Sequence, residues 1–579
     1  MATAIFGSST QGGGGWSLSF ESPLRTYSAQ RVDEVLPLLK TVEAEAQAGA
    51  WVALMISYEA APAFDKALKT HDPASSFPLA WAAIFDRPLT GNPQDCVGTY
   101  LLSEWKPQVA RSSYNEAVNR IRELIAGGDT YQVNYTFPLT SVFEGDALAC
   151  YRDLCMAQGA QFCAYFDLGS YKILSLSPEL FFERNGDSIR TKPMKGTIRR
   201  GRWAAEDFEM RETLADSEKD RAENVMIVDL IRNDLGKVSV PGTVCVTSLF
   251  ELERFETLWQ MTSTVESTLR PNVSFAELMC ALFPCGSITG TPKVRTTEII
   301  RELEPLPRNI YTGTLGFLRP GGNAVFNVAI RTLLLDCATG HATFGVGGGI
   351  TYDSTPEREY EECLVKSSFL ASHPTSFSLL ESLLLDGGDY FLLNKHLARL
   401  ASSANYFGFL FEEEKVLSEL ERVAAHHPSG KWKIRLLLSR NGEVETEAFR
   451  LDHESDRTLR VALSSQPVNS SDRFLFHKTT NRSLYNNELK ARTDCDDVVL
   501  WNERGELTES SIANIVLNLE GQLWTPTHSS GLLAGTFREE LLDVGKIRER
   551  VIRVEELRQA SNFFLINSVR KWMPAVLVD

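Results

Sequence analysis

Hydrophobic and polar positions follow two different periods along the chain, which predicts a mixed fold of helices and strands. In residues 112–126, "SSYNEAVNRIRELIA", apolar residues recur every three or four positions before a Gly-Gly-Asp stop, as in an amphipathic helix. The next stretch, "TYQVNYTFPLTS", alternates and predicts a strand. Two later stretches, "DSEKDRAENVMIVDLIRNDLGKV" and "EREYEECLVKSSFLA", predict further helices.

The pattern is interrupted at residues 371–378, "ASHPTSFS", which predicts a domain boundary. Pro, Ser, Thr and His stand there between periodic segments, as in a connecting segment. The pattern then restarts as strand, turn, strand and helix in "LLESLLLDGGDYFLLNKHLARLASSANYFGF". We therefore predict an N-terminal domain over 1–370 with its motifs in 111–370, a linker over 371–378 and a C-terminal domain over 379–579.

Composition narrows the class of protein. The 579 residues are 43% hydrophobic and carry a formal charge of −16, which predicts several folded domains and argues against binding to nucleic acid or to a membrane surface. Ten cysteines are scattered without a C-x-x-C pair. This usage is typical of reduced, mostly buried thiols in a cytoplasmic protein.

Several short stretches carry candidate chemistry, and each has a structural alternative. Lys195 in "TKPMKGTIRR" stands between Pro193 and Gly196, where a lysine is usually a solvent-facing turn residue. Glutamates on two predicted helices, at positions 223, 359 and 362, can bind a hard cation such as Mg²⁺ or simply form solvated helix faces.

Two further stretches contain groups that suit an anion. "GVGGGI" has three glycines that we predict to form a loop between a strand and a turn. Such a loop is either a tight turn or a nest of backbone N–H groups for an anion. The stretches "IYTGTLGF" and "VAIRTL" contribute Tyr311 and Arg331. Arginine pairs well with a carboxylate, although a lone strand arginine is usually a surface charge.

Seven motifs in a fixed order make the N-terminal half similar to a known family. They are "SLSPELFF", "TKPMKGT", "KDRAENVMIVDLIRNDLGKV", "FPCGSITGTPKVRTTEIIRELEP", "NIYTGTLGFL", "VAIRTL" and "GGGITYDSTPEREYEECLVK". They resemble the chorismate-utilising enzymes, which include anthranilate synthase component I, isochorismate and salicylate synthases, and aminodeoxychorismate synthase component I. The resemblance is strong over 111–370 and weak before it, and an ordered set of motifs is far more specific than one glycine-rich match.

This resemblance implies an α/β sandwich that binds Mg²⁺ and chorismate, with a role for each matching residue. Glu223 and Glu362 match the metal ligands, Tyr311 and Arg331 match the residues that bind the enolpyruvyl carboxylate, and Gly347, Gly348 and Gly349 match the backbone carboxylate cradle. Glu179 in "SPE" matches the acid that assists loss of the ring hydroxyl. Lys195 replaces the alanine of the anthranilate-forming branch and matches the proposed covalent nucleophile of aminodeoxychorismate synthases. Gln260 stands where the family commonly has His, so that histidine's role is not carried over.

The C-terminal third resembles a second family. "FHKTTNRSLYN", "DVVLWNERGELTESSIANIVLNLEGQLWTP", "GLLAGTFREELL" and "LINSVRKW" are similar to aminodeoxychorismate lyase and, less closely, to branched-chain and D-amino-acid aminotransferases. The resemblance implies a fold-type-IV domain that uses pyridoxal 5′-phosphate (PLP). Lys478 then matches the Schiff-base lysine, Glu509 the partner of the pyridine nitrogen, and Arg399 and Thr536 the phosphate-binding residues. Lys571 replaces a glycine that is usual in the lyases.

Together the two resemblances imply an α+β or α/β enzyme with both activities of 4-aminobenzoate synthesis. The N-terminal half would make aminodeoxychorismate from chorismate and ammonia, and the PLP half would then remove pyruvate. They also imply a separate glutamine amidotransferase that supplies ammonia, and a homodimer formed through the PLP domain. The alternative is an anthranilate or salicylate synthase-like domain fused to a class IV aminotransferase, against which Lys195 argues.

Overall fold

The computed structural model describes residues 3–8, 16–72, 77–89, 98–371, 377–451 and 457–578. These residues divide into two compact units. The first contains the described residues up to Arg199 and those from Arg211 to the predicted linker; the second contains Arg200–Met210 and the described residues from 377 onward. Residues 372–376 of the predicted linker lie outside the described residues, so the linker stays a prediction.

The described residues contain fourteen helices, and the stretches that the sequence pattern predicts as helices are among them. In chain order they are α1 (Val32–Gln47), α2 (Ala61–Phe64), α3 (Arg111–Ala126), α4 (Ala147–Gln158), α5 (Ala204–Ala215), α6 (Glu218–Gly236), α7 (Phe275–Leu282), α8 (Lys293–Leu303), α9 (Pro356–Ser367), α10 (Leu393–Phe407), α11 (Glu413–His426), α12 (Ser483–Ala491), α13 (Thr536–Asp543) and α14 (Val554–Leu557).

The described strands before the predicted linker are β1 (Thr3–Gly7), β2 (Ser17–Glu21), β3 (Arg25–Ala29), β4 (Trp51–Ile56), β5 (Ala80–Phe85), β6 (Tyr100–Leu102), β7 (Lys106–Pro107), β8 (Gln132–Gly145), β9 (Phe162–Asp167), β10 (Tyr171–Ser177), β11 (Leu180–Asn185), β12 (Ser188–Lys192), β13 (Met194–Arg199), β14 (Cys245–Arg254), β15 (Leu258–Thr268), β16 (Gly290–Thr291), β17 (Thr314–Leu318), β18 (Ala324–Val328), β19 (Thr332–Asp336) and β20 (His341–Ile350).

The strands after it are β21 (Leu379–Asp386), β22 (Asp389–Tyr390), β23 (Lys431–Leu438), β24 (Val444–Arg450), β25 (Leu459–Leu463), β26 (Asp497–Trp501), β27 (Leu507–Ser510), β28 (Asn514–Leu519), β29 (Gln522–Pro526), β30 (Arg548–Arg550), β31 (Asn562–Asn567) and β32 (Lys571–Leu577).

The first unit is a sandwich of two sheets, each with ten strands among the described residues. One sheet runs β16-β8-β20-β19-β10-β9-β1-β2, with β6 and β7 beside β8. The other runs β13-β15-β12-β11-β18-β17-β4-β5-β3, with β14 beside β15. Aromatic side chains fill the space between the sheets: Phe6 of β1 and Phe317 of β17 have ring centroids 5.0 Å apart. Helices cover the outer faces, so the candidate residues of this unit are carried by a packed scaffold.

Local sequence fixes the two helices that carry the candidate metal ligands. The Ser217 hydroxyl caps α6 by accepting a hydrogen bond from the Asp220 backbone N–H. Pro356 occupies the first position of α9, where a missing N–H is tolerated. Glu223 and Glu362 therefore lie on helices, as the sequence pattern predicts.

The second unit contains a four-stranded sheet, β22-β21-β23-β24, and an eight-stranded sheet, β27-β26-β25-β32-β31-β28-β29-β30, counted over the described residues. The "LLES" stretch forms the start of β21, and its Leu379 packs with residues of α10 and α11 in one core cluster. Helix α10 ends at Gly408, whose φ of 71° is accessible to glycine. The mixture of sheets and helices in both units confirms the predicted fold class.

Two global expectations can be compared with the described residues. No helix among them is long and apolar enough to cross a membrane. The prediction that the cysteines are mostly buried is wrong. Of the nine cysteines in the described part of the chain, four are buried: Cys150, Cys163, Cys285 and Cys363.

Candidate active sites

The glycine run of the first unit lies in a strand, which corrects the predicted glycine loop. Gly347, Gly348 and Gly349 belong to β20 and pair with Thr136, Tyr135 and Asn134 of β8. At Gly347 and Gly349 the absence of a side chain leaves room for neighbouring groups. A Cβ atom at Gly347 would collide with the backbone of Tyr135 and with Thr136. Long-range pairing with β8 outweighs the low strand preference of glycine.

Because Gly349 has no side chain, the Lys195 amine can lie close to β20. A Cβ atom at Gly349 would collide with the Gln132 amide and lie 3.2 Å from Lys195 Nζ. Gln132 is buried, and its Nε2 donates a hydrogen bond to Glu223 Oε2 over 3.1 Å. The structure therefore brings the Lys195 amine, the glycine strand and Glu223 together.

The environment of Lys195 shifts its amine toward the neutral form. Burial lowers the pKa of Lys195, although the nearby carboxylates of Glu223 and Glu179 raise it in part. A neutral amine is the nucleophilic form of lysine. The structural alternative, a solvent-facing turn lysine, does not fit this environment.

Glu179 is a buried acid on the same site. Its Oε1 accepts a hydrogen bond from Ser287 Oγ over 2.5 Å. Burial raises the pKa of Glu179 to about 7, although the Ser287 hydroxyl, Lys195 and the Met194 backbone N–H oppose the shift. A carboxyl group with this pKa exchanges its proton near neutral pH, as a general acid must.

Gln260, which replaces the histidine of related sequences, holds the strand that carries Lys195. Gln260 Nε2 donates to the Gly196 carbonyl over 2.8 Å, and its Oε1 accepts from Thr197 Oγ1 over 3.0 Å. Gly196 has φ of 90°, a conformation that favours glycine. Gln260 therefore positions the backbone next to Lys195, and its amide side chain does not titrate as a histidine would.

Three carboxylates on α6 and α9 interact electrostatically. Burial raises the pKa of Glu223, with Glu359 adding to the shift. Burial also raises the pKa of Glu359, with Glu362 adding to it. Lys366 Nζ lies 2.9 Å from Glu362 Oε1 and lowers the pKa of Glu362. Because buried acids that repel one another are relieved by a cation, the chemistry of this set fits a hard metal ion.

The three carboxylates fit a metal ion by their chemistry, but they are not arranged as a complete set of ligands. Among the described residues, no group of three or more His, Cys, Asp or Glu side chains is arranged as a metal site. The Lys366 amine, which also donates to the Gly347 carbonyl over 3.0 Å, links Glu362 to the glycine strand. Oxygen ligands supplemented by water are usual for Mg²⁺.

Tyr311 packs against β20, and Arg331 lies between β18 and β19. The Tyr311 ring occupies the space in which a side chain at Gly345 would stand. Arg331 Nη1 donates to Gln158 Oε1 over 2.9 Å, and burial lowers its pKa to about 10. In the described part of the chain, no acidic side chain forms an ion pair with Arg331. A buried guanidinium without a carboxylate partner is suited to an anionic ligand.

A buried ion pair that the sequence analysis missed fixes β8 behind this site. The Arg308 guanidinium binds both oxygens of Glu304, over 2.8 Å and 2.6 Å. Glu304 Oε1 also accepts from the Thr136 backbone N–H over 2.8 Å, and Arg308 donates to the Asn134 carbonyl over 2.7 Å. Thr136 donates to this ion pair and Asn134 accepts from it, and both residues pair with the glycine run of β20, so the ion pair supports β8 behind the site.

All four predicted PLP residues line one cavity of about 350 Å³ in the second unit: Arg399, Lys478, Glu509 and Thr536. Burial, together with Arg399, lowers the pKa of Lys478 to about 8. Burial raises the pKa of Glu509 to about 7, although Tyr485 opposes the shift through a hydrogen bond to Oε1 over 2.8 Å. This set of an amine, an acid and anion-binding groups fits PLP.

Arg399 is held by a residue that sequence reasoning did not find. Glu381 of the "LLES" stretch accepts from Arg399 Nε over 2.9 Å and from Nη2 over 2.6 Å. A third guanidinium N–H donates to the Ala534 carbonyl over 3.2 Å. Three of five N–H groups are thereby used, which leaves two for a phosphate.

Thr536 joins the same network at the start of α13. Its Oγ1 lies 3.2 Å from His396 Nε2, and His396 Nδ1 lies 2.7 Å from Glu381 Oε2. Gly535 precedes it, and a Cβ atom there would collide with Asn514 Oδ1. A phosphate at this helix start would meet backbone N–H groups and a hydroxyl.

Lys571 lies on β32, at the position where the resemblance to the lyases predicts glycine. Its φ of 57° is in the left-handed region that favours glycine, which accounts for the usual residue. The Lys571 ammonium lies 4.6 Å from the centre of the Phe391 ring, a cation–π contact that partly offsets the strain.

Cationic side chains form another part of the cavity wall: Lys433, Arg435, Arg482 and Arg570. Burial and the three arginines lower the pKa of Lys433. This part of the wall is suited to negative charge, since like charges held close together are stabilised by an anion.

The chain is similar to curated proteins over part of its length. It is 42% identical over 266 residues to "Aminodeoxychorismate synthase component 1" of Klebsiella aerogenes, covering 46% of this chain and 58% of that protein. It is 37% identical over 287 residues to "Anthranilate synthase component 1" of Streptomyces coelicolor, covering 49% of this chain and 55% of that protein. The chain thus spans little more than half the length of these relatives.

A solved structure is similar in fold. Anthranilate synthase component I from Streptococcus pneumoniae aligns with a TM-score of 0.51 and 22% identity, covering 64% of this chain and 92% of that one. Residues 378–578 match the class IV amino-transferase family, which confirms the predicted second domain type. Residues 12–372, well over half of the sequence, match the chorismate binding enzymes. The chain therefore belongs to the family of chorismate binding enzymes and carries a class IV amino-transferase domain after it.

Proposed function

We propose that the chain makes 4-aminobenzoate from chorismate in two steps. The first unit converts chorismate and ammonia to 4-amino-4-deoxychorismate and water. The second unit, with PLP, releases pyruvate and leaves 4-aminobenzoate. The 42% identity to a relative named aminodeoxychorismate synthase component 1 supports the first step, and the class IV match supports the second.

Lys195 is the residue on which the first step rests. Its neutral Nζ forms a bond to C2 of chorismate while the ring double bonds shift and the C4–O bond breaks. Glu179, with a pKa raised to about 7 by burial, gives its proton to the departing hydroxyl, which leaves as water. Ammonia then forms a bond to C4, and the C2–N bond to Lys195 breaks.

Anion-binding groups hold the dianionic substrate in this account. Arg331 and Tyr311 bind the enolpyruvyl carboxylate, and the backbone of Gly347, Gly348 and Gly349 faces the ring carboxylate. Glu223 and Glu362 would hold Mg²⁺, with Glu359 beside them. The cation would neutralise the ring carboxylate, which a protein of charge −16 must do locally.

In the second step the residues of the cavity orient the amine of the substrate and move a proton. Arg399 and Thr536 would hold the phosphate of PLP, and Glu509 would keep its pyridine nitrogen protonated. When bound, PLP supplies an electron sink. Lys478 takes the proton from C4 and the C3–O bond breaks, so that the ring becomes aromatic. The departing enolpyruvate takes up a proton at its methylene carbon and becomes pyruvate. A lysine with a pKa near 8 is suited to this transfer.

The cationic cavity wall favours a lyase over an aminotransferase for aliphatic amino acids. Aminodeoxychorismate carries two carboxylates, whereas an aliphatic amino acid carries one and an apolar side chain. Lys433, Arg482 and Arg570 line the cavity, and their mutual repulsion is relieved by a dianion. Consecutive reactions on one chain also give this pairing a chemical rationale.

The remaining expectations are part of the proposal. Ammonia comes from a separate glutamine amidotransferase, as the "component 1" in the name of the relative suggests. The second unit forms a homodimer, and the protein works in the cytoplasm.

One observation carries the proposal: the Lys195 amine lies in a buried site beside Gly349, Glu179 and Glu223. The test is the product made from chorismate, ammonium and Mg²⁺ by the purified chain, followed by chromatography. Aminodeoxychorismate without PLP and 4-aminobenzoate with PLP are expected. Anthranilate or salicylate as the product would refute the proposal and favour the alternative, a fused anthranilate or salicylate synthase.

A further inference from the structure

Residues Arg200–Met210, here called the insert segment, belong to the second compact unit although they lie in the middle of the N-terminal half. The segment starts five residues after Lys195 and includes the first turns of α5. We propose that the insert segment is a positioning element for Lys478, so that the PLP site is completed by residues from the chorismate-binding half of the sequence. This inference rests on the proposed role of Lys478.

Arg200 anchors the start of the segment inside the second unit. Its Nε lies 2.6 Å from Asp207 Oδ1, and the two side chains are 5% and 9% exposed. Its Nη2 donates to the Tyr406 carbonyl over 3.1 Å, and its guanidinium lies 4.5 Å from the centre of the Tyr406 ring. Tyr406 Oη returns a hydrogen bond to the Gly201 carbonyl over 2.6 Å. Because this ion pair is buried and has these additional hydrogen bonds, removing either partner should destabilise the second unit.

The segment contacts the residue that precedes Lys478. His477 Nε2 lies 3.1 Å from the Arg202 carbonyl, and Nδ1 lies 2.9 Å from Ser403 Oγ. Because a carbonyl only accepts, Nε2 must carry the proton, and Nδ1 accepts from the Ser403 hydroxyl. Burial lowers the pKa of His477 to about 3, so the ring stays neutral in this tautomer. Arg202 thereby fixes the orientation of the His477 ring.

Trp203 fixes the chain one residue further back. Its ring stacks on Phe476 with centroids 4.9 Å apart, and it lies 4.7 Å from the His528 ring. The Arg202 guanidinium covers both Trp203 and Phe476 at 4.7 Å and 5.1 Å. Phe476 and His477 therefore both depend on the insert segment for their packing.

Lys478 is held from its other side by β21. The Leu380 backbone N–H donates to the Lys478 carbonyl over 2.9 Å. The backbone at Lys478 is therefore supported by β21 on one side and, through Phe476 and His477, by the insert segment on the other. A misplacement of about 1 Å is enough to reduce catalysis about a hundredfold, so removal of one support should be measurable at the cofactor.

The test uses full-length protein with Trp203→Ala, Trp203→Phe and Tyr406→Phe. Trp432→Ala is the matched control, because Trp432 also stacks on a histidine, His427, in the same unit, with ring centroids 4.0 Å apart. Three quantities are measured: the dissociation constant for PLP, the visible circular dichroism of bound PLP, and the rate of chorismate consumption.

We expect Trp203→Ala to raise the PLP dissociation constant about fivefold to thirtyfold, the range that a loss of one or two kcal/mol produces. The visible circular dichroism should also change, since it reports how the cofactor is oriented, while chorismate consumption stays at the wild-type rate. Trp203→Phe should restore most of the signal because it keeps the stacking. Tyr406→Phe, which removes one hydrogen bond, should give a smaller change in the same direction.

Two outcomes separate this inference from the proposed function. If the wild-type protein binds no PLP, the proposed role of the second unit fails. If it binds PLP and Trp203→Ala matches the Trp432→Ala control in affinity and circular dichroism, the positioning role is refuted. If Trp203→Ala does not fold, Tyr406→Phe decides: wild-type circular dichroism and affinity in that variant overturn the inference.

Discussion

Glu381 binds Arg399 with both carboxylate oxygens, over 2.9 Å and 2.6 Å, inside the PLP cavity region. Although burial opposes the shift, Arg399 and His396 lower the pKa of Glu381 to about 2. The usual glutamate pKa is about 4.3, and a difference of about two units corresponds to roughly 3 kcal/mol. Because the pKa is lowered on folding, this stability is present above about pH 4.3 and is lost as the pH falls toward 2.

We therefore predict that Glu381→Gln weakens the region and its affinity for PLP. Loss of the carboxylate leaves the Arg399 charge partly buried, which costs about 3 kcal/mol or more. Hydrogen exchange of β21 peptides at pH 7 should become faster, and the PLP dissociation constant should rise at least tenfold. Glu419→Gln is the control, since Glu419 pairs with the exposed Arg422. Equal exchange rates in the two variants would contradict the prediction.

The contact between Glu381 and Arg399 also shows which kind of feature the hydrophobic pattern of the sequence cannot predict. The apolar residues of "LLESLLLD" predict a strand, because a short apolar run bounded by turn residues is typical of a buried strand. The partner of Glu381 lies on α10, eighteen residues further along, and the pairing follows from how α10 packs on β21. The roles of Lys478, Glu509 and Thr536 came from family resemblance, and the structure adds that these side chains share one cavity with Arg399.

In the site around Lys195, too, the sequence predicts local structure better than long-range contacts. The sequence places Glu223 and Glu362 on helices correctly, yet it misreads the run Gly347–Gly349 as a loop, because pairing with β8 is a long-range interaction. Gln132 stands in a predicted strand with no signal of its own, and its contact with Glu223 depends on the approach of α6. The insert segment gave no local sign of belonging to the second unit.

The Mg²⁺ proposal predicts that chorismate consumption needs the metal and Glu362. Excess chelator should abolish the rate, and Glu362→Gln should raise the Mg²⁺ concentration for half-maximal rate at least tenfold, because one anionic ligand is lost. Glu361→Gln is the control, since Glu361 is an exposed neighbour that pairs with Arg111. Full activity in excess chelator would remove the metal from the proposal.

Glu179 predicts the pH dependence of the first reaction. Its pKa is raised to about 7, so the proton needed by the departing hydroxyl is present below pH 7 and is lost above it. The rate of chorismate consumption should therefore fall as the pH rises above 7. Glu179→Gln should lower the rate by about a hundredfold to ten-thousandfold, the usual contribution of a general acid, and should remove the alkaline limb that Glu179 causes. An unchanged alkaline limb in this variant would assign it to another group.

Lys478 predicts a covalent signature of PLP. The protein loaded with PLP should absorb in the visible range, and borohydride should fix the cofactor to a peptide containing Lys478. Lys478→Ala should lose both the fixed peptide and pyruvate release. Lys433→Ala, a lysine on the same cavity wall, should keep the fixed peptide. Fixation that persists in Lys478→Ala would transfer the role to another lysine.

Lys195 and Lys478 together predict that the two reactions can be separated by mutation and recombined by mixing. Lys195→Ala should stop aminodeoxychorismate formation, because loss of a covalent catalyst lowers a rate by orders of magnitude whereas loss of a surface lysine changes it little. It should still convert supplied aminodeoxychorismate to 4-aminobenzoate, since the site of Lys478 lies in the other unit.

Lys478→Ala should consume chorismate and accumulate aminodeoxychorismate without releasing pyruvate. The two full-length variants are then mixed with chorismate, ammonium, Mg²⁺ and PLP, and the products are measured by chromatography over time. The mixture should form 4-aminobenzoate, because each protein supplies the step that the other lacks. Each variant also still carries its own insert segment. Near wild-type formation of 4-aminobenzoate by Lys195→Ala alone would reduce Lys195 to a structural lysine of β13.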